Sequence, residues 1–340
     1  MRERASYAGE TGDERPPVER EVIVVGGGPA GSSCARRLVH THGMDCLVLD
    51  REAFPRTKLC AGWITPEVVS DLDFDPTRYP GRFLTFESVR VHLRGLAARL
   101  HGAQHSIRRY EFDHYLLQQS GADIAQHYVR RIERRNGSFL IDGRYRCRFL
   151  VGAGGTRCPV YRHLFQAANP RAQTLQAATL EEEFPYPWQD GTCHLWFFDK
   201  GLPGYSWYVP KADGYLNIGL GGMSAKLKAK SRSLKDYWHH FTAQLGHRGL
   251  VTGHTLRPGG YSYYLRGGVE TLQRDNAFLI GDAAGLSTRD LCEGIGPAVR
   301  SGLLAADAIA SGGRLALESV STYSLGNRLA HGLLERAFVS

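Results

Sequence analysis

The stretch EVIVVGGGPAGSSCARRLVHTHGMDCLVLDRE, residues 21–52, constrains the fold more than any other part of the chain. The β-branched run 22–25 predicts a strand buried on both faces, as in a parallel sheet, and residues 32–40 predict a helix with small residues on one side. Between them, Gly26, Gly28 and Gly31 form a G-x-G-x-x-G turn. The first glycine permits the turn, the second lets backbone approach a pyrophosphate, and the third allows close packing of helix on strand. Asp50 ends the next strand, 24 residues after Gly26, where an acid can take ribose hydroxyls. A glycine turn without a ligand is the plainer alternative, but the acid at this spacing favours a dinucleotide site. The expected fold is α/β, a Rossmann-like unit with a parallel sheet.

A second glycine-rich strand end lies far downstream. In LIGDAAG, residues 279–285, Gly281 and Asp282 close a strand just before a glycine-rich helix start. Asp282 can accept hydrogen bonds from sugar hydroxyls, and the following helix N-terminus favours negative charge. Alone, Asp282 reads equally well as a helix cap. Paired with the N-terminal motif it points to FAD, which spans both ends, whereas NAD needs only the first.

Between these motifs the texture changes. QAATLEEEF, CHLWFFDK, YSWYVPKA and GYLNIGLGG are strand-like and rich in aromatics, predicting an inserted antiparallel sheet that makes the whole α/β plus α+β. The expected division is a disordered leader over 1–20; a discontinuous FAD-binding domain over 21–72, 101–170 and 270–314; a substrate domain over 73–100 and 171–269; and a helical tail over 315–340. Ser233 is the expected cap of a helix over 233–245. Seven cysteines, odd in number and without a CxxC pair, argue against a disulfide framework or zinc site and for a reducing cytoplasm. No metal is expected. The net charge of +8 comes from dispersed arginines, unlike a nucleic-acid-binding run. No apolar run has the length of a membrane span, so contact with lipid would be peripheral.

The N-terminal fingerprint, the R-x-x-F-D of Arg109, Phe112 and Asp113, the GAGG of residues 152–155 and GDAAG…EGI together resemble flavoproteins of the p-hydroxybenzoate hydroxylase fold. Within that group, KLCAG and GYSWYVPKADGYLNIGLG resemble geranylgeranyl reductases, which saturate prenyl double bonds with FAD. Tyr205, Trp207 and Pro210 match their Y-x-W-x-F-P motif, with Val209 in place of its phenylalanine. The resemblance implies that Ala30 and Gly31 lie against the pyrophosphate, Asp50 with Arg51 at the adenosine ribose, and Arg109 on the phosphate–ribityl side. It implies backbone near Val129 at adenine, and Gly281, Asp282, Gly294 and Ile295 at the pyrophosphate and flavin ring. Cys60, Ala61 and Gly62 fall on the loop beside the ring, Gly62 letting the backbone come close.

Cys60 is the first candidate proton donor and Tyr205 the second, with Trp207 as a wall of the substrate site; simple packing is the alternative for each. His194 and Trp196 are further candidates for that wall, and Lys58 reads as a surface lysine, with pairing to flavin or a cofactor phosphate as its alternative. Gly154 stands where the family carries aspartate, and Arg289 and Cys292 replace a proline and a glycine before EGI. With the sequence running out soon after the expected closing helix, the further domain of many such reductases is not expected, which argues against a long-tunnel substrate. The expected chemistry is hydride transfer from reduced flavin to a carbon–carbon double bond of a small apolar, isoprenoid-like substrate. NADPH or NADH is the transient reductant, and an electron-donor protein is the alternative partner. The rival readings are an aromatic monooxygenase, a flavin-dependent halogenase and a non-catalytic flavin-binding or electron-transfer protein.

Overall fold

The computed structural model describes residues 16–75, 78–230 and 232–324. Along the chain run β1 (Val18–Val25), α1 (Pro29–Arg36), β2 (Cys46–Asp50), β3 (Trp63–Ile64), α2 (Pro66–Asp71), β4 (Leu84–Leu93) and β5 (Leu96–Ser106). Next come α3 (Arg109–Gln118), β6 (Asp123–Gln126), β7 (Ile132–Arg135), β8 (Ser138–Ile141) and β9 (Tyr145–Gly152). The middle holds β10 (Gln176–Pro185), β11 (Cys193–Phe197), β12 (Gly204–Lys211), β13 (Tyr215–Met223), α4 (Ser224–Ala229) and α5 (Leu234–His247). The chain then forms β14 (Gly259–Tyr264), β15 (Gln273–Arg274), β16 (Ala277–Leu279) and α6 (Ile295–Ser311).

The first sheet has the order β15-β16-β9-β1-β2-β6, parallel from β16 to β6, with the β7–β8 hairpin joined to β9. Val22, Ile23 and Val24 are fully buried, as a central parallel strand covered on both faces requires. Gly26 has φ +114°, and a Cβ there would lie 2.5 Å from the Ala153 carbonyl oxygen. A Cβ on Gly31 would lie 1.9 Å from the Gly26 carbonyl oxygen, so α1 packs on the turn at a distance only glycine permits. The helical run continues past α1 as a wider turn over Arg37–Thr41.

The second sheet has the order β14-β10-β13-β12-β11-β4-β5-β3 and is antiparallel except where β4 pairs parallel with β11. The inserted sheet is therefore larger than expected: β3 joins it from within the 21–72 segment, and β5 runs on to Ser106. β5 extends because its C-terminal residues 104–106 pair with β4, and 105–106 also with β3. The leader is shorter than expected, since Val18–Arg20 pair with Tyr145–Cys147 on β9. Residues 1–15 lie outside the described residues. Ser233 caps α5 in a capping box with Asp236. The expected helical tail does not begin at Leu315: residues 315–324 are irregular and held by backbone contacts, among them Arg289 N to Thr322 O, while residues 325–340 lie outside the described residues.

Candidate functional site

The turns after β1, β2, β9 and β16 open onto one cavity of about 1940 Å³, whose other wall is a face of the second sheet. Usual ligand pockets end at about 1,000 Å³, so there is room for a dinucleotide and a second ligand. At one end, α1 starts behind Gly28 with no capping side chain, leaving first-turn amides for an anion. Asp50 accepts Gly27 N at 2.7 Å and Glu52 N at 2.9 Å, which fixes its carboxylate in the cavity wall. Arg51 and the buried Val129 line the same end, where His127 N bonds the Asp50 carbonyl.

Arg56 is a residue that sequence reading missed. Its Nη2 lies 3.5 Å from where a Cβ on Gly28 would be, so its guanidinium faces the open start of α1. Its Nη1 stands 3.2 Å from Asp113 Oδ2 but off the hydrogen-bond direction, leaving a buried donor to spare. The available signal was its position, four residues before Cys60. Arg109 also lines the cavity, but two of its nitrogens are committed to Asp113 at 2.6 and 2.8 Å. Burial opposes the Arg109 charge, and Asp113 more than offsets this, holding the guanidinium protonated.

At the other end, Asp282, Gly294 and Ile295 converge on the cavity. Asp282 Oδ1 accepts Ser287 Oγ at 3.2 Å, and a Cβ on Gly294 would lie 3.2 Å from the same oxygen. Three expected contacts face protein instead. Gly31 abuts the Gly26 carbonyl, Gly281 abuts Ala30 and Ala298, and Gly62 (φ +62°) faces the Ile107 carbonyl and Lys211 Nζ. These glycines serve close packing of backbone, while Gly26, Gly28 and Ala30 border the cavity. Gly154 lines it as well, and a Cβ there would sit 3.2 Å from Cys158 Cα, so little room remains for the family's aspartate.

The Cys60 loop hangs over the second sheet and is pinned from below. Trp207 Nε1 donates to Asn217 Oδ1 at 2.7 Å, and Asn217 Nδ2 donates to the Cys60 carbonyl at 3.2 Å. The fully buried Lys211 donates to the carbonyls of Ala61 and Ile107. Cys60 and Ala61 line the cavity, with Cys60 Sγ accepting Gly62 N at 3.3 Å. Lys58 is a wall residue and not a surface lysine, its Nζ lying 3.2 Å from the Tyr261 ring centroid.

Tyr205, Trp207 and Val209 face the cavity together with Leu195 and Phe197. Tyr205 donates its hydroxyl proton to the Leu291 carbonyl at 2.5 Å, and burial pushes its pKa well up, so that proton ties the sheet to the 291 loop. His194 and Trp196 are on the opposite face, stacked with His92 and packed towards α5 through Phe241, because strand alternation turns them away from Leu195 and Phe197. Cys292 sits at φ +56°, the left-handed conformation natural to the glycine it replaces. Among the described residues no cluster of side chains suits a metal ion.

The donor set fits FAD: the uncapped start of α1, a spare buried guanidinium hydrogen and a carboxylate at each end. The sequence model of a family described as an NAD(P)-binding Rossmann-like domain matches residues 24–75. An uncharacterized protein of Methanosarcina barkeri is 32% identical over 305 residues, covering 86% of this chain and 74% of the relative. A menaquinone reductase of Mycobacterium tuberculosis is 29% identical over 320 residues, covering 86% and 76%. The fold is shared with a geranylgeranyl bacteriochlorophyll reductase-like protein of Thermoplasma acidophilum, at TM-score 0.72 and 20% identity over 95% of this chain and 84% of that one. The chain belongs to one family with the Methanosarcina barkeri protein, and its fold is that of FAD-dependent oxidoreductases. The fold of this flavoprotein is also that of the flavin-dependent brominase Bmp2, at TM-score 0.70 and 18% identity over 87% and 79% of the two chains.

Proposed function

We propose that this flavoprotein reduces a carbon–carbon double bond of an apolar, isoprenoid-like substrate, with NADPH or NADH as the external reductant. One observation carries the reading. The apolar floor made by Trp207, Leu195 and Val91 in one register row, and Tyr205, Phe197 and Leu93 in the next, shares a single cavity with the dinucleotide cradle. The relatives named menaquinone reductase support a reductase. Bound FAD, once reduced, supplies a hydride. Asp50, Arg51, Arg56, Arg109 and the backbone of Gly26, Gly28, Ala30 and Val129 hold the nucleotide; Asp282, Gly294 and Ile295 hold its other half. Trp207 is the flat wall for an apolar chain, and the floor excludes water from it. Cys60 and Ala61 are the loop contacts that press on the substrate from the opposite side, with a small polarizable sulfur where bulk would not fit.

Anaerobic incubation of the reduced holoprotein with polyprenyl and polyene acceptors tests this: a product heavier by two hydrogens is expected. The fold shared with the brominase supports a second reading, oxygen-dependent halogenation or hydroxylation, and a protein that turns over only with oxygen would displace the first. Cys60→Ala is expected to retain FAD and slow the substrate step about tenfold through lost contact and positioning. An unchanged single-turnover rate would remove Cys60 from the site's working parts.

The proposal extends to peripheral contact with an anionic lipid surface. The floor runs out along the β4–β5 hairpin, where Leu93, Leu96 and Leu100 are 45%, 78% and 47% exposed, with Arg94 and Arg99 beside them. No helix among the described residues is long and apolar enough to cross a membrane. Leu96→Glu is expected to weaken binding to phosphatidylglycerol vesicles about tenfold, the scale of one leucine withdrawn from an apolar phase. Equal cosedimentation of variant and wild type would count against the hairpin.

A further inference from the structure

One carboxyl on the cavity floor has no part in the function above. Glu181 stands in mid-strand on β10, 3% exposed, with Gly219 of β13 on one side and Gly259 of β14 on the other. Trp207 is next in the same row, opposite Gly219. A Cβ on Gly219 would lie 2.2 Å from Trp207 Cζ2 and 2.7 Å from Glu181 Cβ, so its absence makes the room that both side chains use. Leu59, from the Cys60 loop, covers Gly259 in the same way, at 2.7 Å. Glu181 therefore sits in a trough between the two glycines, beneath that loop, and lines the cavity.

Its Oε2 is buried without a hydrogen-bond partner, although buried polar atoms are nearly always paired. The groups facing it are Lys58 of the loop, Lys211 and Tyr205 of β12, Asn217 of β13, Glu183 of its own strand and Tyr263 of β14. The lysines are engaged elsewhere, Lys211 on the loop carbonyls and Lys58 on the Tyr261 ring. Glu293, a half-buried carboxyl of the wall whose pKa burial raises to about 7, has its Oε1 occupied by Gly296 N at 2.6 Å and is tied to the start of α6.

We propose that Glu181 is the proton donor to the substrate, giving up the hydrogen carried on Oε2 to the carbon next to the one that receives hydride. This role rests on the reductase reading. The hydride arrives with its electron pair from a dihydroflavin and forms one C–H bond. The π pair of the broken double bond forms the second with the Glu181 proton. Glu181 is left as a carboxylate near Lys58 and Lys211 and regains its proton from water after product leaves. Burial raises its pKa to about 7, with Lys58, Asn217 and Lys211 limiting the rise. The proton is therefore in place below that pH and lost as pH rises through it.

Two measurements on the FAD-loaded protein test the role. The infrared difference between oxidised wild type and Glu181→Gln should contain a protonated-carboxyl band that disappears with a midpoint near pH 7, a subtraction that removes the contribution of Glu293. In anaerobic single turnover of prereduced protein with a polyprenyl acceptor, Glu181→Gln should slow the substrate step about 100-fold, the lower end for loss of a general acid. It should also abolish the fall in rate above neutral pH, whereas Cys60→Ala should keep that fall. Glu181→Asp, which keeps an acid one methylene shorter, should give an intermediate rate with the pH dependence intact and serves if the glutamine variant misfolds. Wild-type turnover matched by Glu181→Gln in rate and pH profile overturns the donor role alone. Wild type that passes no hydrogen to any acceptor overturns the reductase reading and the donor role together.

Discussion

Gly31→Ala is expected to cost the protein both FAD and stability, while Gly28→Ala costs it FAD alone. A methyl on Gly31 would stand 1.9 Å from the Gly26 carbonyl oxygen. That oxygen cannot retreat, because Gly26 is itself wedged 2.5 Å, Cβ position to oxygen, against Ala153 of the neighbouring strand end. The start of α1 must back away from β1, which takes the first-turn amides off the line on which they meet an anion. Overpacking of this kind costs about 1–3 kcal/mol, and loss of the amide cradle should weaken flavin binding at least about 100-fold, the equivalent of two to three charge-assisted hydrogen bonds. At Gly28 the nearest atom to an added Cβ is Arg56 Nη2, at 3.5 Å, an ordinary contact. The methyl there meets nothing until a pyrophosphate approaches. Flavin titration alongside thermal unfolding of the flavin-free protein separates the two cases. Wild-type flavin affinity in both variants would show that the turn does not carry the nucleotide.

Asp113→Ala should be the most destabilising single change in the nucleotide half. Asp113 is fully buried, accepts Arg109 through two hydrogen bonds and stands 3.2 Å from Arg56. Its removal leaves two guanidinium groups, that of Arg109 buried, without a countercharge, and breaking a buried pair in this way costs about 3–5 kcal/mol. The variant should also respond more to its ligand. A diphosphate brings negative charge to the same two arginines, so FAD should raise the unfolding temperature of Asp113→Ala by more than that of the wild type. Denaturant unfolding with and without FAD reads both effects. A loss below about 1 kcal/mol, the range of an exposed ion pair, would mean that water reaches this cluster.

The nucleotide half was legible because its signals are local. A β-branched run, three glycines and an acid at fixed spacing specify a strand, a turn and a helix start over a few dozen residues, and the structure puts Gly26, Gly28 and Asp50 at the cavity. The aromatic strands were legible for the same reason, since alternation is read over five to nine residues. What alternation leaves open is which face looks inward. Tyr205 and Trp207 turned out to face the cavity, while His194 and Trp196 look the other way. Glu181 lies in the strand-like QAATLEEEF, where period two separates it from Glu182 and sets it beside Glu183 without saying which face is buried.

By itself the sequence determined the Rossmann-like unit, the return to it after an inserted sheet and the class of cofactor, because each follows from residue types at short, regular spacing. Only the tertiary structure decided that Arg56 faces the start of α1, that Gly31, Gly62 and Gly281 serve packing, and that Glu181 is buried with an oxygen unpaired. Those facts depend on strands and loops distant in sequence closing over one another. Burial, which sets the charge state of a carboxyl and the partners of a guanidinium, is a property of that closure and of no single segment.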